Sequence, residues 1–352
     1  MNSPFGGKWL LASIIMALTL AGCFGGVRGP QASTGSFDHP VIGKNLVYIS
    51  GADGYLYALD KNFLGLSRDR RDAPTSGGQI WKVAVGDEED PQSLVAGPAF
   101  DPDRNIVLVG SEDGHLYAFD ATDGGDYLWK FPTGNKIWST PVIRDGIVYF
   151  GSHDGNVYAV NLDTQKEKWR YTTGGAVAGR PLLFQDLVVV GSFDKKLYGI
   201  DLSSGNKRWE LQGDNWFWAG AVADRRTIFA PSMDGNVYAV DSNGQLLWKF
   251  DLGSGIVSRP VLIEGTLVVA ARKGRNINLL DTSPAPLGEN RLIDSRFVGD
   301  ADIRAPIYAK GNTLYVSTED GTVTRLNVEA SRSGRLILEE VWCFNTEDAS
   351  EC

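Results

Sequence analysis

Short apolar runs of about five residues, separated by polar turns rich in Asp and Gly, occupy the chain from Phe37 to Phe344. Within one unit the order is constant: an apolar pair after Pro141 (Val142, Ile143), the run IVYFGS, the turn HDGN, the run VYAVN, a polar turn, and a run ending EKWRY. Apolar runs joined by Asp-Gly turns are the grammar of antiparallel hairpins, because Gly accepts the positive φ that a tight turn demands. Each unit therefore predicts four strands.

The units recur along the chain. SGADGYLYALD (50–60), GSEDGHLYAFD (110–120), GSHDGNVYAVN (151–161), GSFDKKLYGID (191–201) and PSMDGNVYAVD (231–241) stack directly, and ARKGRNINLLD (271–281) and STEDGTVTRLN (317–327) are degenerate copies. Starts at 110, 151, 191, 231 and 271 lie 41, 40, 40 and 40 residues apart, the period of propeller blades. One four-stranded sheet cannot bury both of its faces, so neighbours must stack around an axis. Pro40, Pro98, Pro141, Pro181, Pro260 and Pro306, with Ala221 in the remaining slot, mark the start of each innermost strand. The predicted fold is all-β, a seven-bladed β-propeller of four-stranded antiparallel blades, with eight blades as the alternative.

Tryptophans set the phase. Trp81, Trp129, Trp169, Trp209, Trp248 and Trp342 each fall in the fourth strand of a unit, and Phe297 is expected to stand in for the one missing from unit six. A ring of indoles in that position can wedge between neighbouring blades, each burying roughly 150 to 250 Å².

Ahead of the repeats the pattern changes. Lys8 precedes the uncharged run WLLASIIMALTL (9–20), which is too short to span a bilayer stably and reads as the h-region of a signal peptide. Leu20, Ala21, Gly22 and Cys23 look like a bacterial lipobox, so residues 1–22 are expected to be removed and Cys23 to be acylated. Stable anchoring then takes more than one acyl chain. Residues 24–36 (FGGVRGPQASTGS) are rich in Gly, Pro and Ser and read, with Cys23, as a flexible tether to a single domain over 37–352. The implied location is extracytoplasmic, on a bacterial membrane. In that oxidising setting Cys343 and Cys352 are candidates for a disulfide.

Composition narrows the function classes. A formal charge of -9 with no basic stripe argues against a nucleic-acid partner. His39, His115 and His153 do not cluster, which leaves little for an imidazole metal site. There is no nucleophile elbow and no phosphate-cradling Gly loop before a helix.

The pattern GS-x-DG-x-VYA-VD, followed by a polar turn and a Trp-bearing strand, is similar to the quinoprotein, or PQQ-like, β-propeller repeat, and it covers essentially the whole mature domain. No Trp-Asp dipeptide occurs, which separates it from WD40 units. A lipobox ahead of nothing but these repeats also resembles the propeller lipoproteins of the outer-membrane β-barrel assembly machinery, which usually have eight blades where seven units are counted here. The resemblance to quinoprotein alcohol dehydrogenases would imply a quinone, a Ca²⁺ and an adjacent Cys pair, yet no two Cys are adjacent and no Cys-x-x-Cys-His haem motif occurs. Neither PQQ nor calcium is expected as a cofactor, no metal site is assigned and no catalytic residue is named. The repeated Asp residues are read as turn caps, with a calcium loop in TDGGD (122–126) as the weaker alternative.

Three tryptophans remain after the blade positions and Trp9. Trp138, Trp216 and Trp218 all precede an innermost strand, in the connections expected to line one mouth of a central channel together with the turns between second and third strands. Arg180 and Arg259 directly precede Pro181 and Pro260, Arg304 lies one place earlier in its unit, and Phe193 and Met233 are apolar turn tips on adjacent blades. Trp and Arg are enriched where binding energy concentrates, so this rim is expected to bind an extended peptide or an anionic ligand. The competing reading pairs each Arg with a repeat Asp and buries Trp216 and Trp218 as core. An insertion in unit one, Lys61 to Gly78, reads as a solvated loop on the opposite face. The sequence thus points to a noncatalytic, lipid-anchored scaffold for envelope proteins, a monomer or complex subunit. A small-ligand binding or sensor propeller and a quinone-dependent oxidoreductase are the alternatives.

Overall fold

The computed structural model describes residues 40–61, 79–89, 91–283, 290–303, 306–320, 322–331 and 336–345. The signal segment 1–22, Cys23 and the tether, most of the insertion, Arg304 and Cys352 lie outside the described residues. Among the described residues there is no helix, and therefore none long and apolar enough to cross a membrane.

Among the described residues, seven antiparallel sheets of four strands each follow one another along the chain, the blades of a seven-bladed β-propeller; the eight-bladed alternative is set aside. Sheet one holds β1 (Val41–Ile42), β2 (Leu46–Ser50), β3 (Tyr55–Asp60) and β4 (Gln79–Ala84), and sheet two β5 (Ala99–Asp101), β6 (Ile106–Gly110), β7 (His115–Asp120) and β8 (Trp129–Pro132). Sheet three holds β9 (Val142–Arg144), β10 (Ile147–Gly151), β11 (Asn156–Asn161) and β12 (Lys166–Thr172), and sheet four β13 (Leu182–Phe184), β14 (Leu187–Gly191), β15 (Lys196–Asp201) and β16 (Lys207–Gln212). Sheet five holds β17 (Val222–Ala223), β18 (Ile228–Pro231), β19 (Asn236–Val240) and β20 (Leu246–Asp251), and sheet six β21 (Val261–Ile263), β22 (Thr266–Ala270), β23 (Asn276–Asp281) and β24 (Leu292–Phe297). Sheet seven holds β25 (Tyr308–Lys310), β26 (Thr313–Ser317), β27 (Thr322–Ala330) and β28 (Leu336–Asn345). The chain divides into two compact units, Met1–Ile143 and Arg144–Cys352, with the boundary inside β9.

The second strands are apolar without alternation because both of their faces are buried. In β14, Leu187 and Val189 join the core shared with Phe217, Ile228 and Val240 of sheet five and its connection, while Val188 and Val190 join the core shared with Tyr149 and Val157 of sheet three. Successive residues of a strand point to opposite faces, so one LVVV run serves two cores. The first unit repeats the arrangement, Tyr48, Leu56 and Trp81 packing with Val107, Val109 and Phe119.

The fourth-strand indoles link neighbouring sheets. Trp81 donates its Nε1–H to the Thr122 carbonyl at 3.1 Å, Trp169 to Leu202 at 3.1 Å and Trp209 to Ser242 at 2.9 Å, in each case the turn between third and fourth strands of the next sheet. A glycine in left-handed conformation lies against each ring: Gly124, Gly205 and Gly244, with φ of 64°, 75° and 78°. A Cβ on Gly205 would stand 2.7 Å from Trp169 Cδ2. This packing accounts for the glycine of TDGGD without a bound cation. Burial of one such indole is worth about 4 to 6 kcal/mol as an upper bound. Trp129 and Trp342 are half-buried. Trp248, 1% exposed, leaves its Nε1 without an acceptor among the described residues, and the Arg291 guanidinium lies 4.9 Å from its ring centroid.

Phe297 does not replace the missing Trp. Counted by register, the indole position faces Ala58, Ala159, Gly199 and Ala239 in sheets one, three, four and five, and the corresponding pair in sheet six is Leu279 with Asp294. Asp294 accepts the Leu338 backbone N–H at 2.7 Å and so holds β28 by a hydrogen bond where the other sheets use an indole. Phe297 pairs with Asn276 at the end of β24 and is 53% exposed. Residue type alone cannot count register.

The DG-x-VY motif has an equally local cause. In sheets one to five the shared Asp accepts a backbone N–H two residues on through Oδ1 and a Tyr hydroxyl four residues on through Oδ2, as in Asp154 with Asn156 N–H at 2.9 Å and the Tyr158 hydroxyl at 2.6 Å. Asp53 with Tyr57, Asp113 with Tyr117, Asp194 with Tyr198 and Asp234 with Tyr238 repeat the pair. Burial first, and the neighbouring carboxylate second, push all five phenols well above the ordinary tyrosine range. A pKa raised on folding stabilises the protein below the unfolded value of about 10, and that stability is lost as pH climbs toward the folded value. Alkaline titration followed by tyrosinate absorbance should therefore show these five phenols ionising only together with unfolding. Independent early titration would contradict the pairing. Gly205→Ala should lower the urea-unfolding free energy by about 3 kcal/mol, from strained φ and overpacking on Trp169.

Candidate functional site

In sheets four to seven the turn between second and third strands docks by its backbone on the connection that enters the same sheet. Phe193 N–H donates to Ala176 O at 2.9 Å, Met233 N–H to Trp216 O at 2.8 Å, Arg272 N–H to Gly255 O at 2.9 Å and Glu319 N–H to Asp302 O at 3.1 Å. The shared Asp strengthens the joint: Asp194 Oδ2 accepts Gly174 N–H at 2.7 Å and Asp234 Oδ2 accepts Asp214 N–H at 3.1 Å. Burial works against ionisation of Asp234, but hydrogen bonds from Tyr238 and from the Asn236 and Asp214 amides outweigh it and hold the carboxyl below its usual range. Side chains of turns and connections are thereby presented together along one rim of the second unit.

Aromatic side chains gather there. Phe193 stacks on Trp216, centroids 4.7 Å apart and planes 7° apart, and on Trp218 at 5.1 Å and 19°. His153 meets Phe193 edge-on at 5.7 Å and 75°. Trp216 is 40% exposed and Trp218 half-buried. The connections into sheets four and five run in backbone contact, for a Cβ on Gly179 would lie 2.8 Å from Trp218 O and one on Gly220 2.7 Å from Arg180 O. Any larger residue would part them. Arg259, one connection further, donates its Nε–H to Ala221 O at 3.3 Å. The structure thus brings together Arg180, Phe193, Trp216, Trp218, Met233 and Arg259 within one unit.

Neither competing reading describes this rim fully. Among the described residues Arg180 is half-buried and has no ion pair or hydrogen bond, so it is not tied to a repeat Asp. Trp216 is not core. Trp138 belongs to the first unit and is held differently: its Nε1–H donates to Glu112 Oε1 at 2.8 Å, and Lys136 Nζ lies 5.4 Å from its ring centroid. Cys343 on β28 is disulfide-bonded. Sequence reasoning passed over His153 as a binding neighbour, although it occupies the same turn position as Phe193, one before the shared Asp.

The described residues do not suit a quinone and calcium centre of the dehydrogenase kind. The repeat carboxylates are spent on turn amides and phenols, and among the described residues no three of His, Cys, Asp and Glu converge as metal ligands.

These features define a seven-bladed propeller of PQQ-like repeats with an aromatic and cationic rim. The family model described as outer membrane protein assembly factor BamB matches residues 70–215, 215–283 and 233–334, and the chain belongs to that family. An outer membrane protein assembly factor BamB of Burkholderia pseudomallei is 30% identical over 129 residues, 37% of this chain and 28% of that protein. A quinoprotein ethanol dehydrogenase of Pseudomonas aeruginosa is 37% identical over 91 residues, 25% of this chain and 14% of the enzyme. The chain therefore aligns with less than a third of the length of either relative. The crystal structure of BamB from Moraxella catarrhalis superimposes with a TM-score of 0.67 at 14% identity, over 91% of this chain and 87% of that one, and shares the fold.

Phe193→Ala removes the ring on which both indoles stack. It should erase most of the near-ultraviolet circular dichroism from Trp216 and Trp218 and lower stability by about 1 to 3 kcal/mol. An unchanged spectrum would show that the stack does not form.

Proposed function

We propose that this chain is a noncatalytic scaffold of the cell envelope, anchored by acylated Cys23, that takes part in outer-membrane protein assembly by holding an extended segment of a partner polypeptide at its rim. The observation that carries the reading is the Phe193, Trp216 and Trp218 stack beside an unpaired Arg180. Exposed indole offers apolar area with little side-chain entropy to lose, and an unengaged guanidinium beside it can take a carboxylate or a peptide carbonyl. Family membership supports the assembly role, and the lipobox supports the anchor. The dehydrogenase match extends over too little of that enzyme to carry its chemistry.

Photo-crosslinking from position 216 in membranes should yield proteins of the outer-membrane assembly apparatus. Arg180→Glu combined with Trp216→Ala should cut that yield about tenfold or more while the purified variant still unfolds in one cooperative transition, its stability lowered by no more than about 0.5 to 1.5 kcal/mol for the lost ring pair. Crosslinks to none of those proteins would overturn the reading, as would dye reduction after addition of PQQ and Ca²⁺. Cys23→Ser should release the protein from membrane to soluble fraction; retention would remove the anchor.

A further inference from the structure

Six turns between second and third strands carry the shared carboxylate, the sixth being Asp320, which accepts Thr322 N–H at 3.1 Å. The turn of sheet six does not. It reads Ala271, Arg272, Lys273, Gly274, Arg275, one residue longer than its neighbours, with three cations in place of the acid. Its phenol is gone as well: Asn278 stands at the register position of Tyr238, and Ser295 at that of Lys249, the two joined by a 2.8 Å hydrogen bond from Ser295 Oγ to Asn278 Oδ1.

The fold asks nothing of these cationic side chains that the backbone does not already supply. Arg272 N–H is bonded to Gly255 O, Lys273 N–H to Ser254 Oγ at 3.0 Å, and Arg275 O accepts Val298 N–H at 3.0 Å. Their charges meet only partial answers, with Arg272 Nε 3.5 Å from Asp302 and Arg275 Nη1 3.6 Å from an Asp300 that is 94% exposed. Phe297, beside Asn276 across the β23 and β24 ladder, exposes its ring next to this turn.

We propose that the turn from Arg272 to Arg275, together with Phe297, docks an extended acidic segment of a partner polypeptide that lays an apolar side chain on Phe297. A basic turn on a chain of net charge -9 is a local inversion of sign, and complementarity favours an acidic ligand. An anionic bilayer fits less well, because a surface of uniform negative charge would also meet Asp300 and Asp302. An extended peptide places successive side chains on opposite sides, so its acids can reach the cations and leave those aspartates in water. The surface shares no residue with the aromatic stack and stands or falls separately from it.

The test uses the purified full chain and a fluorescein-labelled synthetic peptide of alternating glutamate and phenylalanine, read by fluorescence anisotropy. Binding should weaken with salt, fall about tenfold or more in Lys273→Glu with Arg275→Glu, fall also in Phe297→Ser, and change less than about twofold in Arg180→Glu. Circular dichroism of the variants should match that of the parent. The proposal is overturned if the reversed-charge variant binds unchanged, if a lysine and phenylalanine peptide binds equally well, or if Arg180→Glu alone abolishes binding. Flotation with phosphatidylglycerol vesicles in the absence of peptide binding would overturn it in favour of a lipid surface.

Discussion

Both faces of the central strands are apolar, and that single constraint governs the rest of the molecule. A sheet such as β13 to β16 has Leu187 and Val189 on one side and Val188 and Val190 on the other, so it has no face that water can wet. Removing either neighbour would expose a continuous hydrocarbon surface, and the hydrophobic effect scales with such area. Sheets of this composition persist only in stacks. The polar work of the protein is consequently confined to turns, connections and the outer strand edges.

Within a stack, two small devices hold spacing and orientation. The fourth-strand indole reaches the next sheet, donates to a carbonyl there and rests on a glycine that has no Cβ to obstruct it. The Asp and Tyr pair closes the turn on the opposite rim and, through Asp194 and Asp234, also grips the incoming connection. Because these carboxylates are committed, their recurrence signals a structural repeat rather than a row of catalytic acids. Sheet six departs from both devices at once, with Asp294 in the indole position and a basic turn where the acid belongs, and its departures are where surface chemistry unlike that of the other blades is found.

Much of the candidate rim was legible in the chain before any coordinates. Trp216, Trp218, Arg180 and Arg259 fall just before innermost strands, and Phe193 and Met233 are turn tips, so repeat position alone collects them on one edge. What the repeat could not reveal is which groups are already engaged. The Trp138 indole is bonded to Glu112, and Arg259, which looks equivalent to Arg180 by position, is bonded to the Ala221 carbonyl. Aromatic type points to Phe297 for the indole position, whereas strand register pairs Leu279 with Asp294 and sets Phe297 three residues further along β24, opposite Asn276.

The sequence by itself determined the repeat period, the strand order within each blade and the phase of the tryptophans; it favoured seven blades over eight, and the sheets decided between them. These follow from local period and turn chemistry, which act over a few residues and are written directly in the chain. The tertiary structure alone decided which aromatic rings stack and which cations stay unpaired. Such pairings join residues tens of positions apart, and their energies depend on distances that a repeat of 40 residues leaves unstated.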